Sequence, residues 1–286
     1  MSMRQIYAVI GKPVEHSLSP ILYDAAFRAM GMDAEMIRLS PPTFSGEEAV
    51  SSAIAAHIKG LAVTIPYKEG AMLACKSLSK EAETVGAVNS VRLEPDGPIG
   101  HNTDPIGIKK SLQVLRFAPH AAHCLVVGAG GAARAVVAIL AENGAKQIDL
   151  ICRTPKRGSA LARDLSASYP ATSFHVLEIN SIETQKALAQ ADLMVNATPT
   201  GMAGTSEPFP LPLSLLNPAA SVFDLVYVPD PTSLASEAAR QGRRALSGKI
   251  MFLEQMLAQF EFLTGHAPPR EAITEALDRA LSVISV

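Results

Sequence analysis

The chain contains no tryptophan, and only 5% of its 286 residues are aromatic. Proteins that bind single-stranded nucleic acid commonly stack the bases on aromatic side chains, so the composition disfavours that class. The formal net charge is −2, and the chain therefore also lacks the positive excess that attracts a polyanion. We expect no nucleic acid partner.

Cysteine is scarce as well. Cys75, Cys124 and Cys152 form no C-x-x-C pair, and each lies in or beside an apolar run, which is typical of buried thiols in a reducing compartment. The segment from Met1 to Gly11 has too short an apolar stretch for a secretory signal. The sequence also contains no uninterrupted run of about twenty apolar residues, which is the length needed to cross a membrane. These absences predict a cytoplasmic protein with no membrane partner. We expect it to be a monomer or a homodimer.

The sequence also lacks the patterns of two common catalytic classes. No serine occurs in a G-x-S-x-G setting, so acyl transfer has no support. Nor does the spacing of five histidines suit a metal site: His16, His57, His101, His123 and His175. We assign no metal site.

What the chain does contain is a regular alternation of segments. Hydrophobic residues make up 48% of the chain, which is enough for a large core. Up to about residue 104, β-like runs such as Leu61–Ile65 and Ala87–Leu93 alternate with helix-like runs such as the one after Pro66. A second alternating series begins with a strand at His123–Val127 and includes a later strand at Ser173–Leu177. This alternation predicts an α/β fold with mostly parallel sheets and helices on their faces.

A glycine-rich loop follows the first strand of the second series. The run of residues 128–133 has the G-x-G-x-x-A form of a dinucleotide-binding fingerprint, between a strand and a helix. Gly128 would allow the tight turn, Gly130 would let the backbone approach a pyrophosphate, and Ala133 would keep the helix close to the strand. We list Gly128, Ala129, Gly130, Gly131 and Ala132 as cofactor-binding candidates. The alternative is a glycine-rich turn that serves packing alone.

The fingerprint and the alternation together predict three regions. Residues 1–104 would form an α/β domain, and residues 105–241 a doubly wound Rossmann-type domain. Residues 242–286 are predicted to form two helices, Ile250–Leu263 and Arg270–Ile284, which have no strand left to follow. We expect these helices to return to the first domain.

A basic turn follows the next strand of the second series. Chains that bind NAD usually carry a carboxylate there, which holds the ribose hydroxyls. This chain instead has Arg153, Thr154 and Arg157, whose charge and donors would favour a ribose 2′-phosphate. The sequence therefore favours NADP, with NAD still possible and a solvated basic turn as the alternative.

Small polar side chains are concentrated in four segments of the first region. The segments contain Ser17 and Ser19, Thr64 and Lys68, Asn89, and Asn102, Thr103 and Asp104. Hydroxyls, an amide and an ammonium suit a small polyhydroxylated acid, and Lys68 with Asp104 would make an acid–base pair. Taken singly, each residue also has a structural explanation. Ser19 before Pro20 fits a helix N-cap, and a lone lysine is usually solvated.

With these residues, the chain resembles the shikimate dehydrogenase family, including its quinate/shikimate relatives, over nearly its full length. The matching segments occur in the family's order and are residues 11–13 and 16–20 (GKP, HSLSP), 63–68 (VTIPYK), 86–89 (GAVN), 102–104 with Gly107 (NTD), 128–134 (GAGGAAR), 196–199 with 201–202 (NATP, GM), and 224–227 with Pro229 (DLVY). The resemblance implies an N-terminal substrate-binding domain, a Rossmann domain and C-terminal helices that return to the first domain.

The resemblance also implies a reaction and roles for individual residues. The reaction would be the NADP-linked interconversion of 3-dehydroshikimate and shikimate, in aromatic amino acid biosynthesis. Lys68 and Asp104 would be catalytic. The implied substrate-binding residues are Ser17, Ser19, Thr64, Asn89, Tyr227 and Gln255. The implied cofactor-binding residues beyond the glycine-rich loop are Arg153, Thr154, Arg157, Thr198, Met202 and Val226.

Three positions differ from the family's usual pattern. Ala62 stands where the family has an asparagine, so that one hydrogen-bond partner for the substrate is lost. Cys152 stands where an asparagine usually precedes the Arg-Thr pair, and Ile250 stands where a glycine packs near the nicotinamide. These differences leave two alternatives: a quinate/shikimate dehydrogenase that uses NAD, and a non-catalytic nucleotide-binding regulator with the same fold.

Overall fold

The structure, a computed structural model, describes residues 4–42, 45–205 and 208–284. Its chain divides into two compact units, one formed by the residues up to Ile106 with Leu253–Ile284 and the other by Gly107–Phe252. The chain passes from one unit to the other within two helices, α5 and α10, whose ranges are Asp104–Val114 and Lys249–Thr264. Among the described residues, no helix combines the length and the apolar composition needed to cross a membrane.

The first unit is built on a six-stranded sheet. Its other elements are β1 (Gln5–Ile10), α1 (Ser19–Ala29), β2 (Ala34–Leu39), α2 (Gly46–Ala55), β3 (Gly60–Val63), α3 (Lys68–Leu73), β4 (Ser77–Leu78), α4 (Lys80–Val85), β5 (Ser90–Glu94), β6 (Gly97–His101) and α11 (Arg270–Ile284). The strand order is β2-β1-β3-β5-β6-β4. Strand β1 pairs in parallel with β2 and β3, whereas β5 is antiparallel to both β3 and β6.

An aromatic cluster joins helices α1 and α10 of this unit to strand β1. Tyr7 of β1 lies 5.5 Å from Phe27 of α1, and Phe260 of α10 lies 5.4 Å from Tyr23 and 5.6 Å from Phe27, measured between ring centroids. Such rings bury large apolar areas and stabilise a core beyond the area term. The cluster fixes α10, and therefore the polar side chains it carries, against α1.

The second unit contains a parallel six-stranded sheet. Its elements are β7 (His123–Val127), α6 (Gly131–Glu142), β8 (Gln147–Ile151), α7 (Pro155–Ser166), β9 (Ser173–Leu177), α8 (Ile182–Gln190), β10 (Leu193–Asn196), β11 (Ser221–Asp224), α9 (Ser233–Arg240) and β12 (Ala245–Leu246), with a 3-10 turn at Leu213–Leu215. The strand order β12-β11-β10-β7-β8-β9 is that of a dinucleotide-binding sheet. The α/β prediction is therefore confirmed for both series.

Several short elements were not predicted, and two local predictions were wrong. Strand β6 reads Gly-Pro-Ile-Gly-His, a poor strand sequence by propensity, and it forms because its backbone pairs with β5. The strand predicted over Ala87–Leu93 begins only at Ser90. Ser19 is not an N-cap residue, because α1 already begins at Ser19 and the N-cap position is Leu18.

A close approach of two helices fixes the element that carries Lys68. A Cβ atom added to Gly46 at the start of α2 would lie 2.3 Å from the Ala71 backbone nitrogen and 2.5 Å from the Gly70 carbonyl carbon, both in α3. Because these neighbours are backbone atoms, they cannot rotate away from the added methyl group.

We therefore expect Gly46→Ala to lower the free energy of unfolding by about 1–3 kcal/mol, the usual cost of overpacking. Urea unfolding of the variant measures this. Ser52→Ala, an exposed change on the same helix, is the control and should stay within about 0.5 kcal/mol of the parent. Since Gly→Ala in a helix is otherwise stabilising, an unchanged or higher midpoint for Gly46→Ala would contradict the prediction.

Candidate functional site

Lys68 is the first residue of α3, and it points to a single carboxylate. Its Nζ lies 2.5 Å from Asp104 Oδ2, and the two side chains are 13% and 5% exposed. The position follows from the local sequence: β3 ends at Val63, Tyr67 N donates to the Thr64 carbonyl, and the helix begins one residue later. An ion pair with this little exposure is weakly screened by water and holds a defined geometry.

Asp104 is held from its other side by Asn89. Asn89 Nδ2 donates to Asp104 Oδ1 at 2.8 Å, so that each carboxylate oxygen has its own donor. The Asp104 backbone N–H donates to Asn102 Oδ1 at 3.0 Å, and Asn102 Nδ2 donates to the Ala87 carbonyl at 2.8 Å. A buried carboxylate needs such donors because burial without them is costly.

Two further groups complete this network. Thr103 Oγ1 accepts from Asn89 Nδ2 at 2.8 Å and donates to Gln255 Oε1 at 3.3 Å. Gln255 lies on α10, and its Oε1 also accepts from Asn89 Nδ2 at 3.2 Å. The structure thus brings together four of the candidate residues, Lys68, Asp104, Asn89 and Gln255, within the first unit.

The remaining substrate-binding candidates of the first unit lie near the ends of β1 and β3. Ser17 Oγ accepts from the Ser19 N–H at 3.3 Å, and Ser19 is buried as the first residue of α1. Thr64 follows β3, and its backbone N–H donates to the Ile10 carbonyl at 2.9 Å. Its methyl group packs on Gly11, where an added Cβ would lie 2.5 Å away. Arg38 of β2 donates to the Ser17 carbonyl at 2.7 Å and steadies the turn.

Tyr227 belongs to the second unit. Its ring stacks on Phe252 with a centroid distance of 4.1 Å and an interplanar angle of 5°. Burial raises the pKa of Tyr227 to about 12, so the phenol keeps its proton and can donate a hydrogen bond at neutral pH.

The glycine-rich loop has the geometry that its sequence predicts. Gly128 has φ +121°, a value that L side chains rarely adopt, and an added Cβ would lie 2.9 Å from the Ala197 carbonyl oxygen. Gly130 is the N-cap residue of α6, and apart from its neighbours along the chain no described residue comes within 4 Å of a Cβ placed there. Gly131 and Ala132 form the first turn of α6, and Ala129 precedes Gly130. The open space over the helix N-terminus fits a pyrophosphate.

The basic turn lies next to this loop, after β8. Arg153, Thr154 and Arg157 are all exposed, and Thr154 is the N-cap residue of α7. Cys152 Sγ donates to the Thr154 carbonyl at 3.3 Å and faces Gly158, where an added Cβ would lie 2.7 Å from the sulfur. The structure describes all of residues 151–157, and none of them has a carboxylate side chain. A ribose 2′-phosphate would therefore meet donors and positive charge at this turn.

A buried amide–carboxyl pair shapes the loop after β10. Asn196 Nδ2 donates to Asp224 Oδ1 at 2.9 Å, and Asn196 Oδ1 accepts from Thr198 Oγ1 at 2.7 Å and from the Thr198 N–H at 3.1 Å. The same Asp224 oxygen accepts from the Val226 N–H at 3.1 Å. Met202 follows in the same loop, where its N–H donates to the Pro199 carbonyl at 3.0 Å. Asp224 therefore holds the backbone on which Thr198 and Val226 lie.

The candidates of the second unit share one edge of its sheet. Gly128, Arg153, Thr198 and Val226 each follow the C-terminal end of a parallel strand: β7, β8, β10 and β11, respectively. Ligands of doubly wound sheets bind at this edge, where the strand order reverses between β7 and β10. The residues present therefore fit a dinucleotide.

Ala62 and Ile250, two of the three positions that differ from the pattern of the resembling family, lie in regular secondary structure. Ala62 is buried in β3, directly opposite Ser90 of β5 in the antiparallel register. Ile250 lies in the first turn of α10, two residues after Gly248, where an added Cβ would lie 2.1 Å from the Leu225 carbonyl oxygen. Among the described residues, no group of three or more histidine, cysteine, aspartate or glutamate side chains has an arrangement that could hold a metal.

Sequence reasoning missed three buried polar residues of the first unit, Tyr23, Ser90 and Gln259. Gln259 follows Gln255 by one helical turn on α10, and its Nε2 donates to the Asn89 carbonyl at 2.8 Å and to Ser90 Oγ at 3.0 Å. The four-residue spacing of Gln255 and Gln259 places the two amides on one face of α10, and this spacing is the signal that could have indicated a second polar contact.

Comparisons with known proteins agree on one family. Residues 9–91 match the family described as shikimate dehydrogenase substrate binding domain, and residues 112–203 match the one described as shikimate / quinate 5-dehydrogenase. The shikimate dehydrogenase (NADP(+)) of Geobacter sulfurreducens is 37% identical over 278 residues, which cover 97% of each chain.

Solved structures give the same result. Shikimate 5-dehydrogenase from Thermus thermophilus, in complex with NADP(H) and shikimate, is 32% identical with a TM-score of 0.80, and covers 97% of this chain and 100% of that one. Quinate dehydrogenase from Corynebacterium glutamicum, in complex with NAD, is 27% identical with a TM-score of 0.83, and covers 96% of this chain and 99% of that one.

The buried Asp224 generates a prediction on stability. Burial raises its pKa from 3.8 to about 6, although hydrogen bonds from Thr232, Val226 and Asn196 oppose the rise. In the unfolded chain this carboxyl has its ordinary pKa of 3.8. Between pH 3.8 and about 6, the folded protein therefore keeps a proton on Asp224 that the unfolded chain has lost. Its contribution to stability is full below pH 3.8 and is lost as the pH rises through about 6.

We therefore expect the Asp224→Asn variant to gain stability relative to the parent as the pH rises from about 4 to about 6, by up to about 3 kcal/mol, with no further change above. Urea unfolding of both proteins at several pH values measures this difference. The exposed variant Asp164→Asn is the control. A difference between Asp224→Asn and the parent that stays constant over this range would contradict the assignment.

Proposed function

Because this chain belongs to the shikimate dehydrogenase family, we propose that it interconverts shikimate and 3-dehydroshikimate with NADP(H), as a step of aromatic amino acid biosynthesis. The observation that carries the proposal is the Lys68–Asp104 ion pair, 2.5 Å between Nζ and Oδ2, with Asn89 on the second carboxylate oxygen. Oxidising an alcohol requires a group that takes the hydroxyl proton, and this pair supplies one.

The proposed step balances one proton and one hydride. The O–H bond of the ring hydroxyl breaks and the Lys68–Asp104 pair gains the proton, which the Asp104 carboxylate accepts either directly or through Lys68 as that ammonium passes on a proton of its own; the C–H bond at the same carbon breaks as a hydride leaves, so that C–OH becomes C=O. When NADP⁺ is bound, it supplies the acceptor for that hydride. Asn89 holds the Asp104 carboxylate so that Oδ2 stays directed at Lys68 during the transfer.

The remaining side chains would hold the substrate. Ser17 and Ser19 have hydroxyls suited to a carboxylate, and Thr64, Asn89 and Gln255 can bind ring hydroxyls. Tyr227 has a protonated phenol, because burial raises its pKa to about 12, and it would act as a donor. These roles are those that the family resemblance implies.

The second unit would bind the dinucleotide. Gly128, Ala129, Gly130, Gly131 and Ala132 would receive the pyrophosphate at the N-terminus of α6. Arg153, Thr154 and Arg157 would bind the 2′-phosphate, and Thr198, Met202 and Val226 would line the rest of the site. We retain the predicted division into a substrate domain over 1–104, a nucleotide domain over 105–241 and C-terminal helices over 242–286.

Quinate and NAD form the second candidate pair. Ala62 favours it, because the family's usual asparagine amide is missing from β3. The proposal also includes a cytoplasmic location, which the three free cysteines support, and a monomeric or homodimeric protein that binds neither membrane nor nucleic acid.

Oxidation rates with shikimate and with quinate, each measured with NADP⁺ and with NAD⁺, test the proposed function. We expect shikimate with NADP⁺ to give the highest kcat/KM. Ala62→Asn should leave the shikimate kinetics unchanged if that position does not contribute to substrate choice, and should shift the ratio of shikimate to quinate turnover if it does. Absence of turnover with every pair, while NADP(H) still binds, would favour the non-catalytic regulator.

The Lys68→Met variant tests the catalytic pair while keeping the apolar stem of the side chain. We expect kcat to fall by about 10²–10⁴-fold, the usual contribution of a positioned acid–base group. Circular dichroism checks that the variant is folded, since Asp104 loses its buried partner. Lys80→Ala, at the exposed start of α4, is the control. A Lys68→Met variant with the parent's kcat would show that this lysine is not catalytic.

The double variant Arg153→Ala/Arg157→Ala tests the cofactor site. Removing two cations from the 2′-phosphate should raise KM for NADP⁺ by about tenfold or more and leave KM for NAD⁺ nearly unchanged. Arg163→Ala, exposed near the other end of α7, is the matched control. Equal increases for the two cofactors would remove the basis for the NADP assignment.

A further inference from the structure

A line of buried hydrogen bonds leads from the aromatic cluster to the Lys68–Asp104 pair, and each member donates in the same direction. Tyr23 Oη donates to Gln259 Oε1 at 3.3 Å, and Gln259 Nε2 donates to Ser90 Oγ at 3.0 Å. Ser90 Oγ donates to Asn89 Oδ1 at 2.7 Å, and Asn89 Nδ2 donates to Asp104 Oδ1 at 2.8 Å. Tyr23, Gln259 and Ser90 are almost fully buried, so this line lies in the core.

The chemistry of each group fixes this direction. The Ser90 hydroxyl has a single proton, and because it accepts from Gln259 Nε2, that proton goes to Asn89 Oδ1. Asn89 Oδ1 accepts a second bond from the Thr103 N–H at 3.0 Å. With two donors on Oδ1, the Asn89 amide can present only Nδ2 to Asp104. If the Asn89 amide were rotated by 180°, its oxygen would face the Asp104 carboxylate, and the Ser90 hydroxyl and the Thr103 N–H would lose their acceptor.

Gln259 is the member of the line that sets the orientation of the others. Its Nε2 also donates to the Asn89 carbonyl at 2.8 Å, so it fixes both the backbone and, through Ser90, the side chain of Asn89. Burial raises the pKa of Tyr23 well above its ordinary value, and the phenol therefore remains a donor to Gln259 Oε1. That bond directs the nitrogen of the Gln259 amide, not its oxygen, toward Ser90.

We propose that Gln259 is a positioning residue of the proposed reaction: acting through Ser90, it locks the Asn89 amide with Nδ2 on Asp104, and Tyr23 locks Gln259 in turn. The proposal rests on the proposed function for its kinetic consequence, but the orientation of Asn89 can be measured without turnover. Ala62 lies opposite Ser90 on the same face of the sheet, where a larger polar side chain would compete for the Ser90 hydroxyl.

The test compares Gln259→Leu with Tyr23→Phe and Ser90→Ala. Gln259→Leu keeps the volume and removes both donors, and it should lower kcat by about ten- to a hundredfold with a smaller change in KM, because a misplaced acid–base pair affects the transition state more than binding. Tyr23→Phe keeps the ring packing and should lower kcat by less than Gln259→Leu does. The double variant Ser90→Ala/Gln259→Leu should have a kcat only slightly lower than that of Gln259→Leu alone, because both substitutions interrupt the same line of hydrogen bonds.

The matched control is Thr264→Val, which removes one side-chain bond to the Phe260 carbonyl elsewhere on α10. Its activity should remain within twofold of the parent. Additive losses for Ser90→Ala and Gln259→Leu, or a Gln259→Leu activity equal to that of Thr264→Val, would overturn the proposal.

A readout that needs no catalysis separates this proposal from the proposed function. The side-chain ¹⁵N–¹H₂ signals of Asn89, assigned by their loss in Asn89→Asp, should be sharp and slow to exchange in the parent. They should shift and exchange faster in Gln259→Leu but not in Thr264→Val. If the parent turns over no substrate while these signals respond, the positioning role stands and the proposed function fails. If the signals do not respond, the positioning role fails at any level of activity.

Discussion

Burying a carboxylate is costly unless hydrogen-bond donors compensate its charge, and donors on both oxygens also fix its orientation. Asp104 meets this condition with Lys68 on one oxygen and Asn89 on the other, and its backbone N–H is held by Asn102. Much of the first unit follows from this requirement. Helix α3 has to begin at Lys68, β5 has to follow Asn89 directly, and α10 has to bring Gln255 and Gln259 over the sheet. The aromatic cluster supplies the apolar burial that keeps these polar groups away from water.

The architecture was largely predictable because it depends on periodicity. Strands β7 and β9 and helix α11 have the predicted limits, since long apolar alternation and clear breakers define them. Strand β6 and the two-residue strands β4 and β12 could not be found, because they form by pairing with a neighbour and not by their own propensity. Ser19 was misassigned as an N-cap residue for a related reason: the sequence shows the residue type, but the backbone angles of Leu18 decide where the helix begins.

The candidate site was predictable where chemistry is carried by residue type. Lys68, Asp104 and Asn89 stand out as polar residues beside apolar runs, and the structure brings them within hydrogen-bond distance. The orientation of these groups was not predictable, because it depends on which atom of an amide faces which neighbour. Gln259 and Ser90 fix that orientation, yet in the sequence they are two ordinary polar residues separated by 169 positions.

The exposed turn of Arg153, Thr154 and Arg157 has a consequence for how this protein can change over evolutionary time. Residues on a solvated turn contribute little to the free energy of folding, so substitutions there are seldom removed by selection for stability. The buried carboxyl of Asp224, by contrast, shapes its loop through hydrogen bonds with Asn196 and the Val226 N–H. On the proposal that this turn binds the 2′-phosphate, preference between the two nicotinamide cofactors can drift or be re-engineered with a few surface substitutions, while the loop that Asp224 holds stays constant.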